Sequence, residues 1–328
     1  MKIFILTEGG RDIGFGHLAR CISLYQGFKA MGITPELIVS GDDTIFDLLK
    51  GIKYRIFNWL REKNELLKRI KDVDFAVIDS YLAGKSLYYK ISEMTDGKII
   101  MIDDYNRIKY PKGIVVNPSI CSTMLNYPDN KDIRYLLGKN YVMLRKEFQA
   151  VSAKVINETL KTVMITFGGE DRFCLTSKVL HFLNKNYPEL IKNVFIGKAY
   201  QDIRQIEEMK NDKVNLIYYP DAETAKKAML VSDIAISSGG QTLCELARIG
   251  TPTIGICCAQ NQQQNLECWR DTSFAEYAGW YNDRNIFFKL KHSIKSLKSY
   301  RSRLKSSRIG RNIIDGKGPH RVCSFLSN

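Results

Sequence analysis

The 328-residue chain has no run of the roughly 18 uninterrupted apolar residues that a membrane helix needs, and its apolar start, Ile3 to Leu6, passes directly into Thr7, Glu8, Gly9 and Gly10. Neither a membrane span nor a signal peptide is expected. Proline is scarce, at 8 residues, and no low-complexity tract interrupts a composition that is 45% hydrophobic and 26% charged. That excludes disorder, collagen and repeat arrays. Histidine is scarcer still, at 4, and the 8 cysteines (21, 121, 174, 244, 257, 258, 268 and 323) form no C-x-x-C pair and no cluster with histidine. A zinc site needs such clusters at short spacing, so no metal is expected. Lacking any regular framework, the cysteines read as free thiols in a reducing, cytoplasmic compartment.

Acidic residues almost vanish from residues 284–328, which hold 12 Lys or Arg and one Asp, a net of +11 out of the chain's +14. The remaining 283 residues carry only +3, so the charge is not a nucleic-acid footprint spread over the body. Within the segment Phe287, Leu290, Ile294, Leu297 and Leu304 recur at helical spacing, which predicts a docked helix with a solvated basic face. No nucleic acid and no obligate protein partner are inferred from it.

What the chain does have is alternation. Short β-rich runs near 2–7, 35–39, 52–57, 74–79, 98–103, 113–117 and 133–137 are interleaved with helices from 17, 44, 60 and 84. The pattern pauses in the polar stretch 148–161 and restarts with strands near 162–167, 192–197, 213–218, 233–237, 252–257 and 277–281, separated by helices from 173, 200, 221, 240 and 262. Apolar runs such as Phe75 to Ile78 and Val163 to Phe167 read as parallel strands covered on both faces. The expected fold class is therefore α/β, with two Rossmann-like, doubly wound parallel-sheet domains facing a cleft: residues 1–150, residues 151–283, and a basic tail from 284 to 328. Ligands of such sheets bind outside the carboxyl ends of the strands.

The polar residues fall there. Gly14-Phe-Gly-His17 closes a glycine-bearing loop and opens a helix. A helix N-terminus disfavours the imidazolium, which makes His17 the candidate general base and Gly14 and Gly16 its loop. Gly168 and Gly169, with Glu170 and Asp171, follow a buried strand and precede a helix, where backbone N–H groups can approach a phosphate. In Ser237-Ser-Gly-Gly-Gln-Thr-Leu-Cys-Glu245 a strand end, two glycines, hydroxyls and a helix start coincide. A diphosphate fits at Ser238, Gly239, Gly240 and Thr242, and Glu245, one turn inside, can accept hydrogen bonds from ribose hydroxyls. Neither glycine motif is a dinucleotide fingerprint or a Walker loop, so NAD and ATP are disfavoured and no cofactor is expected.

Gly14 to Arg20, Asp79-Ser-Tyr81, Asp103-Asp104, Asn117-Pro118, Leu144 to Phe148, Gly168 to Asp171, Ser238 to Pro252 and Asp315 to Arg321, taken in this order, resemble the UDP-sugar hydrolases of pseudaminic acid biosynthesis and their relatives in spore-coat polysaccharide synthesis. The resemblance implies a glycosyltransferase-B-like (GT-B-like) pair of domains with UDP held by the second, and a last helix packed back on the first. It implies metal-independent, inverting hydrolysis of UDP-2,4-diacetamido-2,4,6-trideoxy-β-L-altropyranose to free sugar and UDP. By motif, the base falls on His17 and an assisting tyrosine on Tyr81, with Arg20, Asp79, Asp104 and Asn117 on the substrate side. Ser80 departs from the group, which often has histidine there. Ala259 to Asn265 resembles the glutamine-rich sugar-binding segment of related transferases, which puts Gln260 and Asn265 at the sugar. A UDP-sugar-dependent glycosyltransferase of surface polysaccharide synthesis is the alternative.

Overall fold

The computed structural model describes residues 1–11 and 13–325; Asp12, within the first glycine loop, lies outside them. The chain divides into two units, Met1–Lys146 with the chain from Gly316 onward, and Glu147–Asp315.

Unit 1 runs β1 (Ile3–Gly9), α1 (Gly16–Ala30), β2 (Glu36–Gly41), β3 (Tyr54–Ile56), α2 (Lys63–Ile70), β4 (Phe75–Asp79), α3 (Lys85–Met94), β5 (Ile99–Ile102), β6 (Gly113–Asn117) and β7 (Ile133–Leu137), ending in the short α4 (Lys146–Gln149) at its boundary. The helix expected from 44 is a 3-10 helix, Asp43–Leu49. All seven strands are parallel, in the order β3-β2-β1-β4-β5-β6-β7. Alternation within β1 explains its two covered faces. Ile3 and Ile5 pack with Leu18, Cys21 and Phe28 of α1, whereas Phe4 and Leu6 pack with Trp59, Leu87 and Ile91 on the other side.

Unit 2 repeats the plan with β8 (Thr162–Thr166), α5 (Leu175–Asn186), β9 (Ile191–Ile196), α6 (Ile203–Glu208), β10 (Val214–Tyr218), α7 (Ala222–Val231), β11 (Ile234–Ser238), α8 (Gln241–Ile249), β12 (Thr253–Cys257), α9 (Gln260–Asp271) and β13 (Ala275–Trp280). Its order is β10-β9-β8-β11-β12-β13, again parallel. Both sheets are doubly wound and Rossmann-like, as the alternation predicts.

The basic tail is not one helix. α10 (Ile286–Leu297) and α11 (Tyr300–Ile313) are separate, with Ser299 accepting the Ser302 N–H to start the second. Ile286, Leu290, Ile294 and Leu297 belong to the core of unit 2. Only α12 (Gly318–Ser324) joins unit 1, where Val322 and Cys323 enter the α1 core. Gly27 permits this: a Cβ there would lie 3.0 Å from Cys323 Sγ and 3.3 Å from Pro319 Cβ. The segment expected to dock on the first domain as a whole therefore splits near 315, because the apolar stripe of α10 completes the unit 2 core. Among the described residues no helix is long and apolar enough to cross a membrane.

Candidate functional site

In each sheet the strand order reverses once, between β1 and β4 in unit 1 and between β8 and β11 in unit 2. The loops at that switch diverge and leave a crevice outside the carboxyl strand ends. Most of the sequence-predicted residues collect at these two places.

In unit 1 the register sets Thr7 of β1 beside Asp79, the last residue of β4. The loop after β1 is closed by reciprocal bonds between Gly10 and Gly14, with N–H to O distances of 3.2 and 2.8 Å. α1 then starts at Gly16, with no side chain capping it. His17 is in the first turn and buried, and its Nδ1 lies 2.6 Å from Asp79 Oδ1. A carboxylate only accepts, so the shared proton belongs to Nδ1 and the lone pair of the neutral ring is on Nε2. Arg20, one turn on, donates from Nε to Asp79 Oδ2 and from Nη2 to Oδ1, both at 2.9 Å, and from Nη1 to Asp104 Oδ1 at 2.5 Å. The second Asp104 oxygen accepts the Tyr81 hydroxyl, and the Tyr81 ring meets the His17 ring edge to face, with centroids 4.3 Å apart. Burial opposes the Arg20 charge, but Asp104 and Asp79 outweigh it and hold the guanidinium well above its ordinary range. Asp104 moves the other way: burial would raise it, yet Arg20 and the Tyr81 hydrogen bond keep it below the usual carboxylate range.

Gly14, Gly16, His17, Arg20, Asp79, Tyr81 and Asp104 thus form one cluster. Asn117 stands apart from it. Fully buried, it donates to the Tyr127 hydroxyl at 2.9 Å and accepts the Ser119 N–H at 2.9 Å, so its amide is spent inside the protein. Tyr127 in turn donates to Asp103, which also receives the Tyr110 hydroxyl and the Asn106 and Arg107 N–H groups. Asp103 therefore shapes the loop that carries Asp104.

In unit 2 the two glycine turns differ. Asp171, expected at the ligand, points into its own helix: Oδ1 accepts the Leu175 N–H at 2.9 Å and Oδ2 the Thr176 N–H at 2.6 Å. The start of α5 already holds a carboxylate, which satisfies the groups an external anion would use. Gly168 has φ 86°, so the backbone itself calls for glycine there. At the β11–α8 turn no side chain caps the helix, and Gly240 has an ordinary negative φ with nothing within 4 Å of a built Cβ. The protein's packing does not require glycine at 240. Ser238 and Thr242 flank this turn, and Glu245 is 3% exposed, not a solvated helix residue. Asn265 donates to the Gly239 carbonyl at 2.9 Å, while Gln260 is the exposed first residue of α9.

Three residues that shape these sites escape a reading of the sequence. Glu8 is fully buried and accepts the Ser80 hydroxyl, the Tyr81 N–H at 2.8 Å and the Leu82 N–H at 3.2 Å, fixing the loop that carries Tyr81. Arg107 donates to the carbonyls of Ser80, Tyr81 and Ala83 from the other side. Gln262 accepts the N–H groups of Gly239 and Cys258, tying two loops of unit 2 together. The only sequence signal among them is a carboxylate near the end of an otherwise apolar β1. Among the described residues no group of three His, Cys, Asp or Glu side chains is placed to hold a metal ion.

No protein-family model matches the chain. It is 29% identical to an uncharacterized protein of Methanocaldococcus jannaschii over 83% of its own length and 58% of that protein's. It is 26% identical to a Helicobacter pylori protein described as pseudaminic acid cytidylyltransferase and UDP-2,4-diacetamido-2,4,6-trideoxy-beta-L-altropyranose hydrolase, over 80% of this chain and 45% of that one. The chain thus spans about half the length of these two relatives. The Bacillus subtilis spore coat polysaccharide biosynthesis protein SpsG is 24% identical over 100% of this chain and 98% of its own. Among solved structures, Acinetobacter baumannii MurG superposes with a TM-score of 0.70 at 14% identity, covering 100% of this chain and 99% of that one. The resemblance carried by the motifs therefore extends over 80% of the chain toward relatives named UDP-altropyranose hydrolase and over all of it toward the spore-coat polysaccharide protein, on a GT-B-like fold.

Proposed function

We propose that the protein hydrolyses a UDP-sugar at the anomeric carbon, releasing free sugar and UDP without a metal, and that its substrate is the diacetamido-trideoxy altrose derivative named for the Helicobacter pylori relative. The observation that carries this reading is the His17–Asp79 contact at the unit 1 switch point, which leaves Nε2 as a base. Nε2 takes a proton from water as the water oxygen attacks the anomeric carbon opposite the diphosphate. The bond from that carbon to the diphosphate oxygen breaks, its electron pair leaves with UDP, and the configuration inverts. Tyr81 orients the water or the sugar. The uncapped start of α8 at Gly240 receives the diphosphate, as helix N-termini do, and Glu245 faces the ribose hydroxyls.

Incubating the protein with a panel of UDP-sugars, with neither acceptor nor metal, tests this. UDP release in the wild type that falls about 10²-fold or more in His17→Ala, with UDP affinity retained, is the expected result. Equal rates in the two proteins would exclude the mechanism. The amide run Gln260 to Asn265 favours a second reading, a transferase whose acceptor hydroxyl replaces water. UDP release that appears only when a sugar acceptor is supplied would select it.

A further inference from the structure

We propose that Arg20, which its motif places among substrate-binding residues, is a positioning residue that never touches substrate: one guanidinium shared by Asp79 and Asp104 sets the His17 tautomer and the Tyr81 hydroxyl together. This rests on the reading of His17 as base.

The geometry is a closed circuit. His17 meets Asp79, Asp79 meets two nitrogens of Arg20, the third nitrogen meets Asp104, Asp104 accepts Tyr81, and the Tyr81 ring returns to His17. His17 and Arg20 are three residues apart on α1, so they share a face of its first turns. Arg20 is buried, and each of its three nitrogens already has a carboxylate oxygen within hydrogen-bond distance. Nη2 also lies 3.0 Å from His17 Nδ1, because both nitrogens converge on Asp79 Oδ1. Only a planar fork can serve two carboxylates and sit edge-on to an imidazole; an ammonium is a point charge.

The groups facing this cluster are Glu8 at the end of β1, Cys21 on α1, Asp79 and Tyr81 after β4, and Asp104 and Tyr105 after β5. Arg20 is the cation that both Asp79 and Asp104 meet, and it holds the Asp104 carboxyl below its usual range. Without its fork Asp104 loses the charge and the hydrogen bond that hold its carboxyl down, so it takes a proton at higher pH. Asp104 then no longer holds the Tyr81 hydroxyl as a carboxylate does, and Asp79, without the two Arg20 nitrogens that orient it, no longer fixes the Nδ1 proton.

The test uses the full chain with Arg20→Lys, Asp104→Asn, Tyr81→Phe and the Asp104→Asn/Tyr81→Phe double variant, each first checked by thermal melting. Two readouts are taken: imidazole nitrogen NMR of His17 without substrate, and kcat and KM against pH. Wild-type His17 is expected as the single Nδ1–H tautomer, whereas Arg20→Lys should populate both. That variant should lose kcat about 10-fold or more, as supporting partners of a functional group do, keep KM within about twofold, and show the acid limb of its profile moved to higher pH. The double variant should lose no more than the worse of its two single variants, since both act on one hydroxyl. If Arg20→Lys raises KM at unchanged kcat, Arg20 grips substrate and the proposal fails. It fails equally if the tautomer and the acid limb stay put. Should Arg20→Lys not fold, additive losses in the Asp104/Tyr81 pair overturn the proposal and non-additive ones support it. An active His17→Ala would sink the hydrolase reading alone, because the tautomer measurement needs no substrate.

Discussion

Both units use one strand order and one switch point, yet they furnish it differently. At the unit 1 switch the polar groups are ionisable side chains: Glu8, His17, Arg20, Asp79 and Asp104, interlocked and mostly buried. At the unit 2 switch they are glycines, hydroxyls and amides, with the buried carboxylate of the β8–α5 turn, Asp171, turned inward to finish a helix. The same topology thus supplies two kinds of polarity. Side-chain charge can be protonated and deprotonated and suits chemistry; backbone dipoles are fixed and suit a permanent anion.

This contrast can be broken by exchanging the expected consequences. The largest effect is expected at Glu8→Ala, which removes a fully buried carboxylate and its bonds to the Ser80 hydroxyl and the Tyr81 and Leu82 N–H groups: a loss of about 3 kcal/mol in urea unfolding, with UDP affinity by calorimetry unchanged. A fall in UDP affinity of similar size would mean the two sites are not separable. Next comes Gly240→Val, which puts a branched side chain into the open space at the start of α8. Melting should barely move, while UDP binding weakens about 10- to 100-fold. Unchanged binding would remove the diphosphate from α8. The smallest is Asp171→Ala, a lost helix cap worth about 1 kcal/mol of stability with UDP affinity intact. Were affinity to drop and stability to hold, Asp171 would be a ligand contact after all.

The strands and their grouping were legible in the sequence because buried parallel strands are continuous apolar runs, and Val163 to Phe167 cannot be mistaken for a surface element. His17, Tyr81 and the β11–α8 turn were legible for a second reason: the ends of such strands are where polar residues have no structural excuse. Asp171 misled because a carboxylate after two glycines looks the same whether it faces a ligand or the N–H groups four and five residues ahead; only the turn's backbone decides. Arg20 is a similar case, since a cation in a motif says nothing about which anion it meets, and in the fold it meets Asp79 and Asp104. Gln262 was hidden in a run of amides, where the rotation of α9 alone determines which one reaches Gly239. The basic tail read as one helix because its apolar spacing runs on from Leu297 to Leu304, across the break that Ser299 makes.

The return of α12 to α1 has a consequence for the order of biosynthesis. Unit 1 is first in the chain, but Val322 and Cys323 are part of its core, so its α1 face stays open to solvent until unit 2 has been made and the chain from Gly316 onward has emerged. Unit 2, an unbroken stretch from Glu147 to Asp315, has no such wait. The half that carries His17 is therefore begun first and completed last, and a nascent chain stopped before Pro319 leaves an unfilled groove along Gly27.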